Sequence, residues 1–201
     1  MHKSLLKEIV LEQEKDRQDV DAGIPRAALS VASRHAALPH AVVISGVRRS
    51  GKSTLLNQII SDLYKKGVYY LNFEDERLVD FNVEDFNHLY EVFLELYGDK
   101  KVFFFDEVQN VPQWEVFVRR MQGKGCKFFI TGSNASLLSK EFGTKLTGRN
   151  VNVELFPFSF MEFLSFEGFQ LSKNGLSLTS ERAAIKKYFA EYLKHGGMPE
   201  Y

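Results

Sequence analysis

Short apolar segments alternate with amphipathic helical segments from His40 onward, and this alternation constrains the fold more than any other feature of the chain. The five apolar segments are Ala41–Ser45, Val68–Phe73, Val102–Phe105, Lys127–Ile130 and Val151–Phe156. Runs that are apolar without polar alternation are typical of strands buried on both faces. The sequence therefore predicts an α/β fold, a three-layer sandwich in which a mostly parallel five-stranded sheet lies between two helical layers.

Apolar residues at helical spacing mark the segments that separate the strands. The inner faces of three predicted helices are Leu55, Leu56, Ile59, Ile60 and Leu63; Phe86, Leu89, Tyr90, Phe93 and Tyr97; and Trp114, Phe117, Val118 and Met121. Gly67 and Gly98 are expected to end the first two helices, and Pro112 to open the third. The first residues of the chain predict a further amphipathic helix, with Ser4 as its N-cap.

The segment GVRRSGKS matches the pattern GxxxxGK[ST] and lies between the first predicted strand and the helix after it. Glycines let backbone N–H groups converge on a phosphate, the helix directs its positive end at it, Lys52 adds a full charge, and Ser53 supplies a ligand for Mg²⁺. Arg48 and Arg49 occupy variable positions, where either solvent exposure or a phosphate contact is open. The expected phosphate-binding residues are Gly46, Val47, Arg48, Arg49, Ser50, Gly51, Lys52, Ser53 and Thr54.

Asp106 and Glu107 follow directly after the apolar segment Val102–Phe105. In a phosphate-binding fold the first carboxylate supports Mg²⁺ and the second is placed to polarise an attacking water. A glutamate directly after the aspartate favours ATP hydrolases over small GTPases, which position water with a glutamine. The pair therefore predicts a metal-supporting residue, Asp106, and a general base, Glu107.

Two further positions are expected to serve the same site. The fourth strand is followed by polar residues, and if it lies beside the strand of Asp106, Ser133 or Asn134 can sense the γ-phosphate. Asn134 could equally cap the next helix. Arg149 precedes the fifth strand, where its guanidinium either stabilises the charge of phosphoryl transfer or lies on the surface.

These motifs together resemble the predicted AAA-type ATPase family of bacteria and archaea. The segments that carry the resemblance are GVRRSGKST, YYLNFEDER, FFFDEVQNVPQWEVFVRRM, FFITGSNASLLS, LTGRNVNVELFPFSFMEFL and YLKHGGMPEY, and more weakly Ile24–Arg26. The resemblance implies a P-loop NTPase fold that binds ATP and Mg²⁺, a sensor at Ser133 or Asn134, and a catalytic finger at Arg149. A finger that acts in trans implies a homo-oligomer.

The resemblance also implies a division of the chain. We expect an N-terminal helical segment over 1–39, a P-loop ATPase core over 40–165 and a helical segment over 166–201. Family members commonly continue into a further domain of unsettled role, so we expect the chain to stop before such a domain. Six phenylalanines between Leu155 and Gln170 are expected to pack in the core, unless that domain covers part of them. They are Phe156, Phe158, Phe160, Phe163, Phe166 and Phe169.

Lys and Arg number 26, as do Asp and Glu, which excludes a uniformly basic protein built to coat nucleic acid. The balance is uneven along the chain: residues 72–107 carry eleven acids and three bases, and residues 112–149 carry seven bases and two acids. Opposed charges favour head-to-tail self-association. The lone Cys126, the polar N-terminus and the absence of a long apolar run predict a cytoplasmic chain without a membrane partner. The histidines show no ligand spacing, so no metal other than magnesium is expected.

Three functions remain open on these residues. The first is an ATPase that uses hydrolysis to ADP and phosphate to drive a conformational or assembly cycle. The second is a slow nucleotide-dependent switch that acts through DNA or a regulatory protein. The third, a small-molecule kinase, is the weakest, because no acceptor lid is evident and a kinase usually has no need for a glutamate after Asp106.

Overall fold

The computed structural model describes residues 1–65, 67–133, 148–171 and 179–199. Its helices are α1 (Lys3–Asp19), α2 (Ala27–Ala36), α3 (Lys52–Ile59), α4 (Asp85–Tyr97), α5 (Trp114–Gln122), α6 (Phe160–Phe166) and α7 (Thr179–His195). Its strands are β1 (Ala41–Gly46), β2 (Tyr69–Asn72), β3 (Val102–Asp106), β4 (Lys127–Ser133) and β5 (Asn150–Glu154). Within the described ranges, no helix is both long enough and apolar enough to cross a bilayer.

The five strands form one parallel sheet in the order β2-β3-β4-β1-β5. This arrangement confirms the predicted α/β fold with its five-stranded sheet. β4 lies between β1 and β3, as the sensor hypothesis required, with Val42 opposite Phe129 and Phe103 opposite Phe128. The carboxyl ends of β1, β4 and β3 therefore lie side by side, at the edge where open α/β sheets bind ligands.

Successive aromatic residues fill both faces of the sheet. Phe103 stacks on Phe128 with ring centroids 4.7 Å apart, and Phe104 stacks on Phe129 at 4.6 Å. Because successive strand residues point to opposite faces, the two pairs belong to different cores. One core contains residues of α1, α4 and α5, and the other contains residues of α2 and α3. The three-layer sandwich is thus confirmed.

Three expectations about helix detail are wrong. α5 begins at Trp114 with Gln113 as its N-cap, so Pro112 lies two residues before the helix that it was expected to open. α1 begins at Lys3 after an extended His2, so Ser4 lies inside the helix and is not its N-cap. Leu63 is 39% exposed, although the spacing had placed it on the inner face. The cause is a π-helical turn over Ile60–Tyr64, which shifts Leu63 off the buried stripe of α3.

The expectation that the phenylalanine-rich segment packs in the core is only partly right. Phe158 and Phe163 are buried, whereas Phe156 is 64% exposed and Phe166 is 48% exposed. A bend at Pro157 interrupts the chain before α6, so Phe156 is exposed although Phe158, two residues further on, is buried, and Phe166 is exposed at the end of α6. Periodicity alone could not show which phenylalanines are exposed.

Candidate functional site

Two glycines shape the loop between β1 and α3. A Cβ on Gly46 would lie 2.3 Å from the carbonyl oxygen of Leu155, so no larger residue fits at the end of β1. Gly51 has a φ of +90°, in the left-handed region that favours glycine, and α3 begins at the next residue. The predicted succession of strand, glycine-rich loop and helix is therefore present.

A cavity of about 690 Å³ lies over this loop and the amino end of α3. The residues that line it are Arg48, Arg49, Gly51, Lys52, Ser53, Thr54, Glu74, Glu107, Gln109, Asn110 and Pro199. Most of the predicted phosphate-binding residues are thus on its walls. Ser50 is instead fully buried, and Gly46 is the last residue of β1 beneath the loop.

The side chains of Lys52 and Glu107 contact each other in this cavity. Lys52 is the first residue of α3, and Glu107 directly follows β3. The Lys52 side chain is 5% exposed, and its Nζ is 3.4 Å from Glu107 Oε1. The same Nζ donates to the carbonyl oxygens of Gly46 at 3.4 Å and Val47 at 3.3 Å. A buried ammonium thus sits at the mouth of the glycine-rich loop, where a phosphate would need a counter-charge.

Asp106 lies at the carboxyl end of β3 and is fully buried. Burial raises the pKa of its carboxyl, and the neighbouring hydroxyls of Thr131 and Ser53 oppose that rise. Oδ2 has no hydrogen-bond partner in the described part of the chain. A buried carboxylate oxygen without a partner is costly unless a cation completes it. With the Ser53 hydroxyl beside it, this oxygen fits the oxygen ligands that Mg²⁺ prefers.

Thr131 connects the two acidic residues, and sequence reasoning missed it. Its hydroxyl donates to Asp106 Oδ1 and accepts from the Glu107 N–H at 2.9 Å. Glu107 has a φ of +49°, a strained conformation for a residue other than glycine, so this hydrogen bond helps to hold it. A buried hydroxyl ending the apolar run of β4 was the signal in the sequence.

The two arginines of the loop border the cavity without lying deep in it. Arg48 is an exposed side chain that pairs with Glu74, with Nη2 and Oε1 2.9 Å apart. Arg49 has a φ of +67° and also lines the cavity. The structure therefore places Arg48 on the solvent side of the cavity, paired across its opening.

Ser133 and Arg149 lie at opposite ends of the sheet. The backbone of Ser133 pairs in register with Gly46, so the end of β4 reaches the glycine-rich loop. The Ser133 side chain and all of Asn134 lie outside the described residues, and the choice of sensor stays a prediction. Arg149 is exposed and its carbonyl accepts from the Ala41 N–H at 2.9 Å, at the start of β1. It is therefore a strand length from the cavity of its own chain.

The sequence did not identify Gln109 and Pro199 as parts of the site. Gln109 donates from Nε2 to Glu107 Oε2 and lines the cavity. Pro199 reaches the same cavity from beyond α7, because a buried Gly197 docks on the Phe158 backbone. The contact between Gly197 and Phe158 joins segments far apart in the chain, so no local pattern predicts that Pro199 belongs to the site.

Comparison with known proteins identifies a family for residues 39–164 of the chain. A family model described as an AAA domain matches residues 39–164. An uncharacterized protein of Methanocaldococcus jannaschii is 46% identical over 158 residues, covering 79% of this chain and 35% of the relative. An uncharacterized protein of Haemophilus influenzae is 39% identical over 164 residues, covering 78% of this chain and 39% of the relative. The chain thus spans well under half the length of either protein.

The fold also resembles that of a solved structure, the S. cerevisiae Hsp104:casein complex in its extended conformation. The likeness has a TM-score of 0.59 and covers 97% of this chain and 38% of the other, at 16% sequence identity. Such a low identity supports the fold alone. It agrees with the parallel sheet and with the strand, loop and helix that form the cavity.

Proposed function

We propose that this chain, which belongs to the AAA domain family, binds ATP with Mg²⁺ and hydrolyses it to ADP and phosphate to drive a conformational or assembly cycle. One observation carries the proposal. Lys52 and Glu107 come from different elements and line one cavity together with Ser53, and the buried Asp106 lies next to Ser53. That set is what a phosphoanhydride hydrolase needs: a counter-charge, oxygen ligands for a metal, and a base.

Each residue has a separate task in this mechanism. Backbone N–H groups of the loop and the amino end of α3 bind the phosphates, and Lys52 neutralises the β- and γ-phosphates. Ser53 and Asp106 would hold Mg²⁺, which neutralises charge on the phosphate oxygens when it is bound. Glu107 accepts the proton of the attacking water, and Thr131 and Gln109 keep its backbone and carboxylate in place.

Assembly is the second part of the proposal. Arg149 lies at the far end of β1 from the cavity, so it cannot serve its own chain. We place it in the cavity of a neighbouring copy, where it stabilises transition-state charge. The excess of acids in residues 72–107 and of bases in residues 112–149 favours a head-to-tail contact of this kind. Ser133 or Asn134 is the proposed γ-phosphate sensor.

A variant of Lys52 tests nucleotide binding directly. Lys52→Ala should lose most of the affinity for ATP. Lys52 carries the only buried ammonium among the described residues that line the cavity. Lys101→Ala is the matched control, since Lys101 is exposed and pairs with Asp99 away from the cavity. Equilibrium binding of a fluorescent ATP analogue measures both. Equal affinity of the two variants would overturn the proposal.

The slow nucleotide-dependent switch is the alternative function, and phosphate release distinguishes it from the ATPase. A switch acting through DNA or a regulatory protein binds ATP as tightly but turns it over only when the partner is present. Phosphate release measured with and without DNA distinguishes the two, because the ATPase hydrolyses ATP alone. Transfer of phosphate to a small molecule instead of water would favour the kinase.

A further inference from the structure

Arg26 contacts the glycine-rich loop from behind. Its side chain is buried, and Nη1 donates to the carbonyl oxygen of Ser50 at 2.8 Å. Nη2 donates to the carbonyl oxygen of Phe156 at 2.7 Å, and Nε donates to Glu162 Oε1 at 3.0 Å. The guanidinium carbon lies 4.8 Å from the centroid of the Phe158 ring. The Nε, Nη1 and Nη2 atoms of Arg26 therefore each donate a hydrogen bond within the protein.

The bond to Ser50 determines the orientation of one peptide plane in the loop. The described chain has no cis peptide bond, so the carbonyl and the N–H of the Ser50–Gly51 peptide point in opposite directions. With the carbonyl held towards Arg26, the N–H of Gly51 points to the other side of the loop. Gly51 borders the nucleotide cavity on that side, whereas Arg26 lines a separate cavity with Phe156 and Phe158.

This peptide needs such a restraint because of Gly51. Glycine at a φ of +90° has access to many backbone conformations, including those in which the peptide is rotated. Rotation would turn the Ser50 carbonyl oxygen towards the phosphate and remove an N–H donor from it. Arg26 is close enough to oppose the rotation: a Cβ on Gly51 would lie 3.1 Å from its Nη1.

We propose that Arg26 is a positioning residue for nucleotide binding, which holds the Ser50–Gly51 peptide so that the Gly51 N–H faces the phosphates. The inference rests on the proposed ATP-binding function. It adds a residue that touches no part of the cavity in the described chain and acts through the loop backbone. It also assigns a role to the segment after β5, because Phe156 and Glu162 hold the guanidinium.

Glu162 and Gln58 keep Arg26 in place. Besides Arg26, Glu162 Oε1 accepts from the Ala27 N–H at 2.9 Å, and Oε2 accepts from the Ser159 N–H at 2.8 Å as part of the capping box of α6. Gln58 of α3 accepts from the Arg26 N–H at 3.4 Å. Both ends of the arginine, backbone and guanidinium, are thus fixed before any ligand binds, which is what preorganisation requires.

The test compares Arg26→Ala and Arg26→Lys with the wild type for three probes: ATP, pyrophosphate and adenosine. Loss of a charge-assisted hydrogen bond should weaken binding of ATP and pyrophosphate by roughly 10- to 100-fold in Arg26→Ala. Adenosine affinity should not change, because it has no phosphate. Arg26→Lys keeps the charge but cannot reach three acceptors, so it should recover only a small part of the loss.

Lys127→Ala is the matched control for removing a half-buried cation that donates to backbone carbonyls. Lys127 Nζ donates to the carbonyl oxygens of His35, Leu38 and His40 at 2.6–2.8 Å, and it lies under α2 away from the loop. This variant should lose thermal stability and keep its affinity for pyrophosphate. Calorimetric titration measures the affinities, and circular dichroism shows that each variant is folded at the titration temperature.

Three results would overturn the inference while leaving ATP binding intact. They are wild-type pyrophosphate affinity in folded Arg26→Ala, an equal loss for adenosine and ATP, and full recovery in Arg26→Lys. If Arg26→Ala does not fold, Glu162→Gln takes its place and should weaken pyrophosphate binding several-fold; unchanged binding there overturns the inference as well. A wild type that binds neither ATP nor pyrophosphate overturns the proposed function itself and this inference with it.

Discussion

Replacing Asp106 with asparagine should stabilise the protein while it abolishes Mg²⁺-dependent hydrolysis. Asp106 is fully buried, its Oδ2 has no hydrogen-bond partner in the described residues, and burial raises its pKa. A buried polar atom without a partner costs about 1–3 kcal/mol, and a charge costs more than a neutral amide. Asparagine keeps the shape and still accepts from the Thr131 hydroxyl. We therefore expect a gain of about 1–2 kcal/mol at pH 7.

Thermal unfolding in EDTA measures the gain. For a chain of this size, 1–2 kcal/mol corresponds to a rise in Tm of about 2–8 °C. The pH dependence has a definite sign: because the folded-state pKa of Asp106 is raised, its carboxylate destabilises the fold above that pKa. The destabilisation disappears as the pH falls through the folded-state pKa towards the ordinary value of 3.8. The gap between variant and wild type should therefore shrink on acidification.

Magnesium supplies an internal control for the same measurement. Mg²⁺ with ATP should raise the Tm of the wild type more than that of Asp106→Asn, because the variant lacks the charged ligand. A variant that is less stable than the wild type at pH 7, with a gap that does not change with pH, would refute the argument. Retention of Mg²⁺-dependent phosphate release would refute the assignment of Asp106 to the metal.

Three further outcomes follow from the geometry. Thr131→Val should slow hydrolysis by about 10- to 100-fold and cost about 1–3 kcal/mol of unfolding free energy, since it releases Asp106 and Glu107 together; wild-type rates would contradict the bridging role. Gly46→Ala should abolish ATP binding, because its Cβ would lie 2.3 Å from a carbonyl oxygen, whereas Gly123→Ala, at 3.3 Å from its nearest neighbour, should be tolerated. Mixing Arg149→Ala with Glu107→Gln should restore part of the activity that each lacks; no restoration in proven oligomers would argue against action in trans.

The sheet could be predicted because its strands have a distinctive sequence pattern. Runs such as Val102–Phe105 are apolar at every position, and the structure shows why: Phe103 and Phe104 pack in different cores. The sequence did not establish that β4 lies between β1 and β3. The pairing of Phe129 with Val42 establishes that β4 lies next to β1.

The local motifs of the site were predictable for a similar reason, whereas its long-range contacts were not. The loop around Lys52 and the pair Asp106 and Glu107 follow directly from strand ends, so spacing revealed them. Thr131 and Arg26 act through hydrogen bonds to backbone groups distant in sequence. Such bonds depend on the packed fold, and a buried arginine has no signature that separates it from an exposed one.

Hydrolysis by Glu107→Gln tests the central claim most directly. Glu107 lies 3.4 Å from Lys52 Nζ in the cavity and is the proposed base. The measurement is the phosphate released from ATP with Mg²⁺ by wild type and variant, beside the ATP affinity of each. We expect the variant to bind ATP as the wild type does and to release phosphate at least about 100-fold more slowly. Equal rates of phosphate release at equal ATP occupancy would contradict the account.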